Sequence, residues 1–321
     1  MELKKYDECL MNIEWAREND YPAEKIQKLN EREEKCKKMK EEHVEDPEDD
    51  PWNYFKLSYP ANPKIPFIIN DLTMKTTAKF GRGIYATRNL NPGDFIAIEE
   101  AQIKTFSVMN ELVIGGFHIC FNCLKSNMLN LLPCSVSAVM MFCSRSCCIA
   151  AFRKKPNREK LPNIVDKLYA DIGKILGNRD EVMKFIKEFD YKNSKVTIFD
   201  FDLSQPDYHK NLLKCFLTFT NIDDIANPRY LKDIKSIIES REGSNKEMSD
   251  FMKHVAGVFD FNAFTPTSAS FSTTFGGLLN HSCIPNVSHV QVGNKTAFYI
   301  QRPVEKGEQL FESYYSFNAK E

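Results

Sequence analysis

The sequence predicts an α+β fold in which a β-rich core is split by a long insert. Three observations carry this. Short apolar runs separated by turn residues fill positions 65–100 and return beyond Val287; six of the ten cysteines crowd into positions 120–148; and helical apolar spacing dominates the stretch in between. At 321 residues, with 42% hydrophobic and 27% charged, the chain is long enough for a large core and too apolar to be disordered throughout. No apolar run approaches membrane-spanning length, and MELKKYDECL lacks the apolar centre of a signal peptide. An intracellular protein with no membrane partner is expected. The net charge of −1 conceals an asymmetry, because residues 1–50 hold 10 Lys or Arg against 17 Asp or Glu and the remainder is mildly basic. That balance alone does not point to a nucleic acid.

Taken in order, residues 1–44 predict a helical pair. Tyr6, Leu10 and Ile13 form one stripe and Ile26, Leu29, Cys36 and Met39 another, with a break at Asn19 to Pro22. Positions 45–64, beginning in EDPEDDPWN, are acidic and Pro-containing and predict a linker. Positions 65–119 form the first β part, with strands at IPFII, GIYA and FIAIE and a turn at Asn91-Pro92-Gly93-Asp94. Positions 120–155 form a small cysteine module. Positions 156–265 predict a helical insert: a strong amphipathic helix through Leu161, Val165, Leu168, Ile172 and Leu176, then helices near 208–219, 228–239 and 248–258. Positions 266–321 return to strands, VSHVQV and TAFYI about Gly293-Asn294, then QLF.

The cysteine module pairs Cys120 with Cys123 and Cys143 with Cys147, nineteen residues apart. Each short-spaced pair can offer two sulfurs from one tight turn, and the loop between them can bring four thiolates round one zinc ion. The spacing favours Cys147 over its neighbour Cys148 as the fourth ligand. Cys134 has Ser137 where a partner would stand, so a second complete zinc site is not encoded, and His118 is expected to be a structural or exposed histidine rather than a substitute ligand. Cys9, Cys36 and Cys215 fall at helical core positions.

Three further motifs carry the chemistry. They are KFGRGIYAT at Lys79 to Thr87 followed by the NPGD turn, NHSCIPN at Asn280 to Asn286, and KGEQLFESYY at Lys306 to Tyr315. At these positions the chain resembles the SET-domain protein lysine methyltransferases. The cysteine module between the first and second motifs looks like a MYND zinc finger inserted into a split SET domain, which makes the chain similar to the SET-and-MYND-domain methyltransferases. Its first forty-odd residues resemble the last tetratricopeptide helix pair of the repeat-bearing, arthropod-type branch.

The resemblance implies transfer of a methyl group from S-adenosylmethionine to a lysine side chain of a protein substrate, histones among the candidates, with zinc purely structural. It implies that the backbone of Gly81, Arg82 and Gly83 wraps the methionine part of the cofactor, that Asn280 and His281 hold its amino-acid and adenine portions, and that Tyr314 is the catalytic tyrosine at the transfer site. It also implies proline-rich peptide partners for the zinc finger and residence in nucleus and cytoplasm. A DNA-binding finger is not expected, since the spacing is not that of the DNA-reading fingers and the local basic cluster is only Arg153-Lys154-Lys155. Relatives continue past the tyrosine with a CxCxxC segment that completes a zinc site with the cysteine of NHSC. Here seven residues follow Tyr314, none a cysteine, so Cys283 is expected to lack those partners and the post-SET segment to be absent. A catalytically inactive SET and MYND scaffold, acting as a protein-interaction or transcriptional regulator, is the alternative this leaves.

Overall fold

The computed structural model describes residues 6–18, 21–42, 54–106, 120–123, 131–133, 141–152, 164–222, 229–263, 269–292 and 295–314. The chain begins with α1 (Tyr6–Glu18) and α2 (Ile26–Glu42), packed against one another. Tyr6, Ile13, Leu29 and Cys36 are buried between them, and the Cys36 thiol donates to the Tyr6 carbonyl at 3.4 Å. Ile26 departs from its expected stripe and is 43% exposed. Arg17 reaches from α1 to Asn30 and Glu33 on α2.

The predicted strand at 65–69 is instead a turn. The Asn62 carboxamide oxygen accepts from the amides of Lys64 and Ile65, bending the chain, so that only Ile68 and Ile69 make isolated bridges, to Ala97 and Ala61. Ile65, Ile68 and Ile69 are nonetheless buried. An unpredicted strand β1 (Leu72–Thr77) follows and pairs antiparallel with β2 (Gly81–Ala86). The expected Asn91 to Asp94 turn leads into β3 (Phe95–Glu100). Gly93 sits at φ +91°, which a side chain would strain, and the Asp94 carboxylate accepts from the Asn91 amide at 2.8 Å. Strand β4 (Ile103–Phe106) ends the first β part; His118 and Cys134 lie outside the described residues.

The cysteine module contributes β5 (Leu132–Pro133), β6 (Met141–Phe142) and α3 (Arg145–Phe152). An ion pair between Arg145 and Glu18 at 2.5 Å ties α3 to the N-terminal pair. The insert then supplies α4 (Ile164–Leu176), α5 (Arg179–Glu188), α6 (Tyr208–Leu217), α7 (Arg229–Glu242) and α8 (Lys246–Asn262). The unpredicted α5 starts at a capping box, with the Asn178 side chain accepting from the Glu181 amide and Glu181 reaching back. Among the described residues, no helix is long and apolar enough to cross a membrane.

The chain returns in β7 (Ala269–Ser272), β8 (Asn280–His281), β9 (Val287–Val292), β10 (Lys295–Ile300) and β11 (Phe311–Glu312). Strand β10 lies between β3 and β9, both antiparallel to it, β7 pairs with β4, and β11 runs parallel to β8. The two β parts, far apart in sequence, therefore close into one unit. The Leu310 amide donates to the Ile84 carbonyl at 2.8 Å, the Ala86 amide to Glu308 at 3.0 Å, and Leu90 and Val304 exchange a reciprocal pair. One apolar core runs through both parts and the insert, taking in Ile84, Ile96, Leu213, Phe251, Phe298 and Leu310. The cysteine module keeps a smaller cluster of its own round Cys120 and Phe142.

Candidate active site

A cavity of about 660 Å³ opens where β2, β8, β9 and β11 converge with the ends of α6 and α8. That volume suits a nucleoside-sized ligand. Phe80, Phe219 and Phe261 supply its aromatic faces. Gly81 begins β2 at φ +64°, a conformation in which a side chain would be strained, and it brings the backbone of Gly81 and Arg82 to the cavity wall. Gly277 is required for a different reason: a Cβ there would come within 2.5 Å of the Phe219 ring.

Of the residues singled out in the sequence, Gly81, Arg82, Asn280 and Tyr314 line this cavity, whereas Gly83 and His281 do not. Asn280 donates from its carboxamide to the Arg82 carbonyl at 2.8 Å, joining the NHSC segment to the GRG segment. Gly83 makes room for that junction, because a Cβ would lie 2.3 Å from the Gln309 amide nitrogen and 3.0 Å from that of Asn280. The Arg82 side chain reaches across to the insert. Its guanidinium donates to the carbonyls of Thr218 (3.0 Å) and Lys195 (3.3 Å) and to the Thr218 hydroxyl, and its burial lowers the pKa from the usual arginine value. Arg82 thus fastens the insert to β2.

Tyr314 is held at both ends. Its hydroxyl donates to the Leu279 carbonyl at 2.8 Å, its amide donates to Nδ1 of His281 at 3.1 Å, and the two rings lie 5.2 Å apart. Burial of the phenol end, with the negative charge of Glu312 nearby, raises its pKa above the usual tyrosine value. His281 therefore serves the site through Tyr314, while its Nε2 lies 3.3 Å from the Cys283 sulfur.

Two groups escaped the sequence reading. Glu99, fully buried on β3, accepts from the amides of Thr274 and Phe275 and from the Thr274 hydroxyl, and burial outweighs these bonds to push its pKa up to about 7. The second is a contact in the cavity wall between Nδ1 of His289 on β9 and the Glu312 carboxylate on β11. A strand reading makes Glu312 one of two alternating faces and gives no reason to bury it. A buried carboxylate needs partners across the fold, which spacing along one strand cannot reveal.

The cysteine module sets Cys120, Cys123, Cys143 and Cys147 with all four sulfurs within 4.8 Å of one another. Sulfur to sulfur, Cys123 lies 3.5 Å from Cys143, and Cys143 lies 3.4 Å from Cys147. Tetrahedral zinc with bonds of about 2.3 Å needs sulfurs about 3.8 Å apart, so this donor set fits a zinc ion. Hydrogen bonds from Cys123 and nearby amides draw the Cys120 thiol down to about 4, while burial and the Cys147 side chain push Cys143 up to about 11, so the four sulfurs by themselves favour a thiolate at Cys120 and a thiol at Cys143.

No curated protein matches the chain. A solved structure described as the SET domain of LSMT bound to lysine and AdoHcy resembles it at 12% identity and a TM-score of 0.36, over 77% of this chain and 50% of that one. The chain thus spans half the length of that solved chain. The SET domain family model matches residues 81–315, a span that opens at the glycine beginning β2, closes one residue beyond Tyr314 and takes in every residue of the cavity wall except Phe80: the chain belongs to the SET domain family.

Proposed function

We propose that the chain is a protein-lysine N-methyltransferase that uses S-adenosylmethionine, with the 660 Å³ cavity as its active site. The observation that carries this reading is the junction of its separate motifs at one cavity: Asn280 bonded to the Arg82 carbonyl on one side and Tyr314 pinned to Leu279 on the other. The backbone of Gly81 and Arg82 and the carboxamide of Asn280 would hold the amino-acid portion of the cofactor, and the aromatic faces of Phe80, Phe219 and Phe261 suit its adenine. The cofactor, when bound, supplies a methyl group already activated by the positive sulfur, so the protein's work is alignment and delivery of a neutral amine. Tyr314 would orient that amine, its hydroxyl fixed by the Leu279 carbonyl.

The finer assignment is a SET-and-MYND enzyme with zinc on Cys120, Cys123, Cys143 and Cys147, a remnant tetratricopeptide pair at the N-terminus, and a finger that takes proline-rich peptides. Residence in nucleus and cytoplasm belongs to the same proposal. The four-sulfur cluster and the separate small core around Cys120 and Phe142 support a metal-stabilised module.

Calorimetry with S-adenosylmethionine tests the central reading. Saturable binding, together with label transfer from the methyl-tritiated cofactor to lysine in core histones or a proteome extract, is the expected result. A folded, zinc-loaded sample with no measurable affinity for the cofactor would refute it and favour the non-catalytic scaffold.

A further inference from the structure

Within the cavity, Glu312 is the group the chemistry so far leaves unused. It is only 2% exposed, one carboxylate oxygen contacts Nδ1 of His289, and the other, Oε2, is buried and has no hydrogen-bond partner among the described residues. A tie between β9 and β11 needs only the first oxygen. A second carboxylate oxygen shielded from water and left unpaired is costly, and such a group most favours a cation that can come to it. Among the described residues, the other charged or titratable groups in the cavity walls are Arg82, whose guanidinium is engaged by Thr218 and Lys195, and Tyr314, whose hydroxyl is engaged by Leu279. From β10 the pair meets the Phe298 ring, 5.9 Å from the His289 imidazole. Among the described residues Glu312 is therefore the negative element of the cavity, two residues from the tyrosine.

We propose that Glu312, held in place by His289, receives the substrate amine in this cavity: it binds the incoming ammonium and takes its proton. This rests on the methyltransferase reading above. An alkyl amine with a pKa of about 10.4 is neutral only about one time in a thousand near pH 7.4, so the proton must leave before nitrogen can act as a nucleophile. In the step, which requires the buried Oε2 of Glu312 to turn into the cavity, one N–H bond breaks and its electron pair stays on nitrogen, while an O–H bond forms at that oxygen. The proton passes to water when the product leaves. His289 is a positioning residue, acting only through Glu312. Ligand and role are thus of one class, a primary alkylammonium and a carboxylate base.

The experiment uses the whole chain in its zinc-loaded form. With S-adenosylhomocysteine bound, n-butylammonium binding is measured by calorimetry for the native protein, for Glu312→Gln, and for a variant carrying both Glu312→Leu and His289→Leu. The apolar pair guards against misfolding caused by a single unpaired buried group. Expected is at least a tenfold loss of n-butylammonium affinity in both variants, with S-adenosylhomocysteine affinity retained. Methyl transfer to core histones is then followed from pH 7 to 10. A base contributes on the order of a hundredfold or more, so the variants should be slow at pH 7 and should close most of the gap as solution pH nears the amine's own pKa. Equal n-butylammonium binding by native and variant proteins, no binding by any of them, or a rate deficit constant across pH would overturn the assignment. If the native protein instead fails to bind S-adenosylhomocysteine, the methyltransferase reading falls, and the n-butylammonium result still judges the cation site by itself.

Discussion

Tyr314 and Leu279 are joined through the tyrosine hydroxyl and the leucine carbonyl at 2.8 Å, so the last motif of the chain is locked to the residue just before the NHSC segment. The Tyr314 amide, bonded to Nδ1 of His281, ties the same two segments a second time and puts the histidine proton on Nε2, facing Cys283. The tyrosine is thus placed by backbone and imidazole together. Removing its hydroxyl should cost about 1 kcal/mol of stability and leave the ring where it is. Tyr314→Phe is accordingly expected to keep S-adenosylmethionine affinity within a few-fold and to lower methyl transfer by about a hundredfold or more. Calorimetry beside a radiolabel assay on the same preparation separates the two effects, and unchanged transfer would remove Tyr314 from the chemistry.

Arg82 offers a stability prediction. Its planar fork reaches several acceptors at once, including the Thr218 carbonyl and the Lys195 carbonyl, which a single ammonium cannot match. Arg82→Lys should therefore lower stability by about 1–3 kcal/mol through loosened docking of the insert. Denaturant unfolding would read this, with cofactor affinity falling in parallel because Phe219 and Thr220, just beyond α6, line the cavity.

How far the chain explains itself depends on whether the signal is local. The strands at Gly81–Ala86, Phe95–Glu100, Val287–Val292 and Lys295–Ile300 coincide with apolar runs bounded by turn residues, and the helices Tyr208–Leu217 and Lys246–Asn262 follow their apolar spacing. The turn at 65–69 was hidden because three buried isoleucines look alike in a strand and in a turn capped by Asn62. Strand Leu72–Thr77 was missed because LTMKTT has little apolar content, its order coming from pairing with β2. The helix Arg179–Glu188 did carry a legible signal, the Asn178 to Glu181 capping box. At the site, the motifs named Gly81, Asn280 and Tyr314, yet the contact of His289 with Glu312 and the burial of Glu99 exist only after distant segments meet. The Arg82 side chain likewise took a role in fastening the insert that no spacing could disclose.

Glu99 should make stability depend on pH in a direction opposite to that of an ordinary salt-bridged carboxylate. Its folded pKa of about 7 lies above the unfolded value of about 4.3, so the folded state holds the proton more tightly. The contribution is fully present below about pH 4.3 and is lost as pH rises through 7, a change on the order of 3 kcal/mol. Glu99→Gln, which stays neutral, should flatten this part of the profile. Urea unfolding at pH 5, 6, 7 and 8 on both proteins measures it, and identical slopes would show that Glu99 is ionised throughout.

The cysteine cluster yields the last prediction, because four thiols packed within 4.8 Å are held together by hydrogen bonds far weaker than metal bonds. Thiolate ligation to zinc adds binding free energy directly to folding, and that energy is present only in the metal-loaded module. Elemental analysis should give about one zinc per chain. Cys143→Ser should lose it, since Cys143 lies beside both Cys123 and Cys147 and its removal takes away one of the four ligands of the tetrahedron. Cys148→Ser should retain the metal, because Cys148 lies outside the four-sulfur group. The N-terminal helices should feel the loss through the Arg145 to Glu18 ion pair, whereas the core spanning Ile65 to Leu310 is a separate cluster and should unfold at nearly its native midpoint. Chelator titration followed by hydrogen exchange would show deprotection confined to α3, β6 and their neighbours. Loss of protection across β3, β9 and β10 at the same zinc occupancy would instead mean that the metal stabilises the whole SET core.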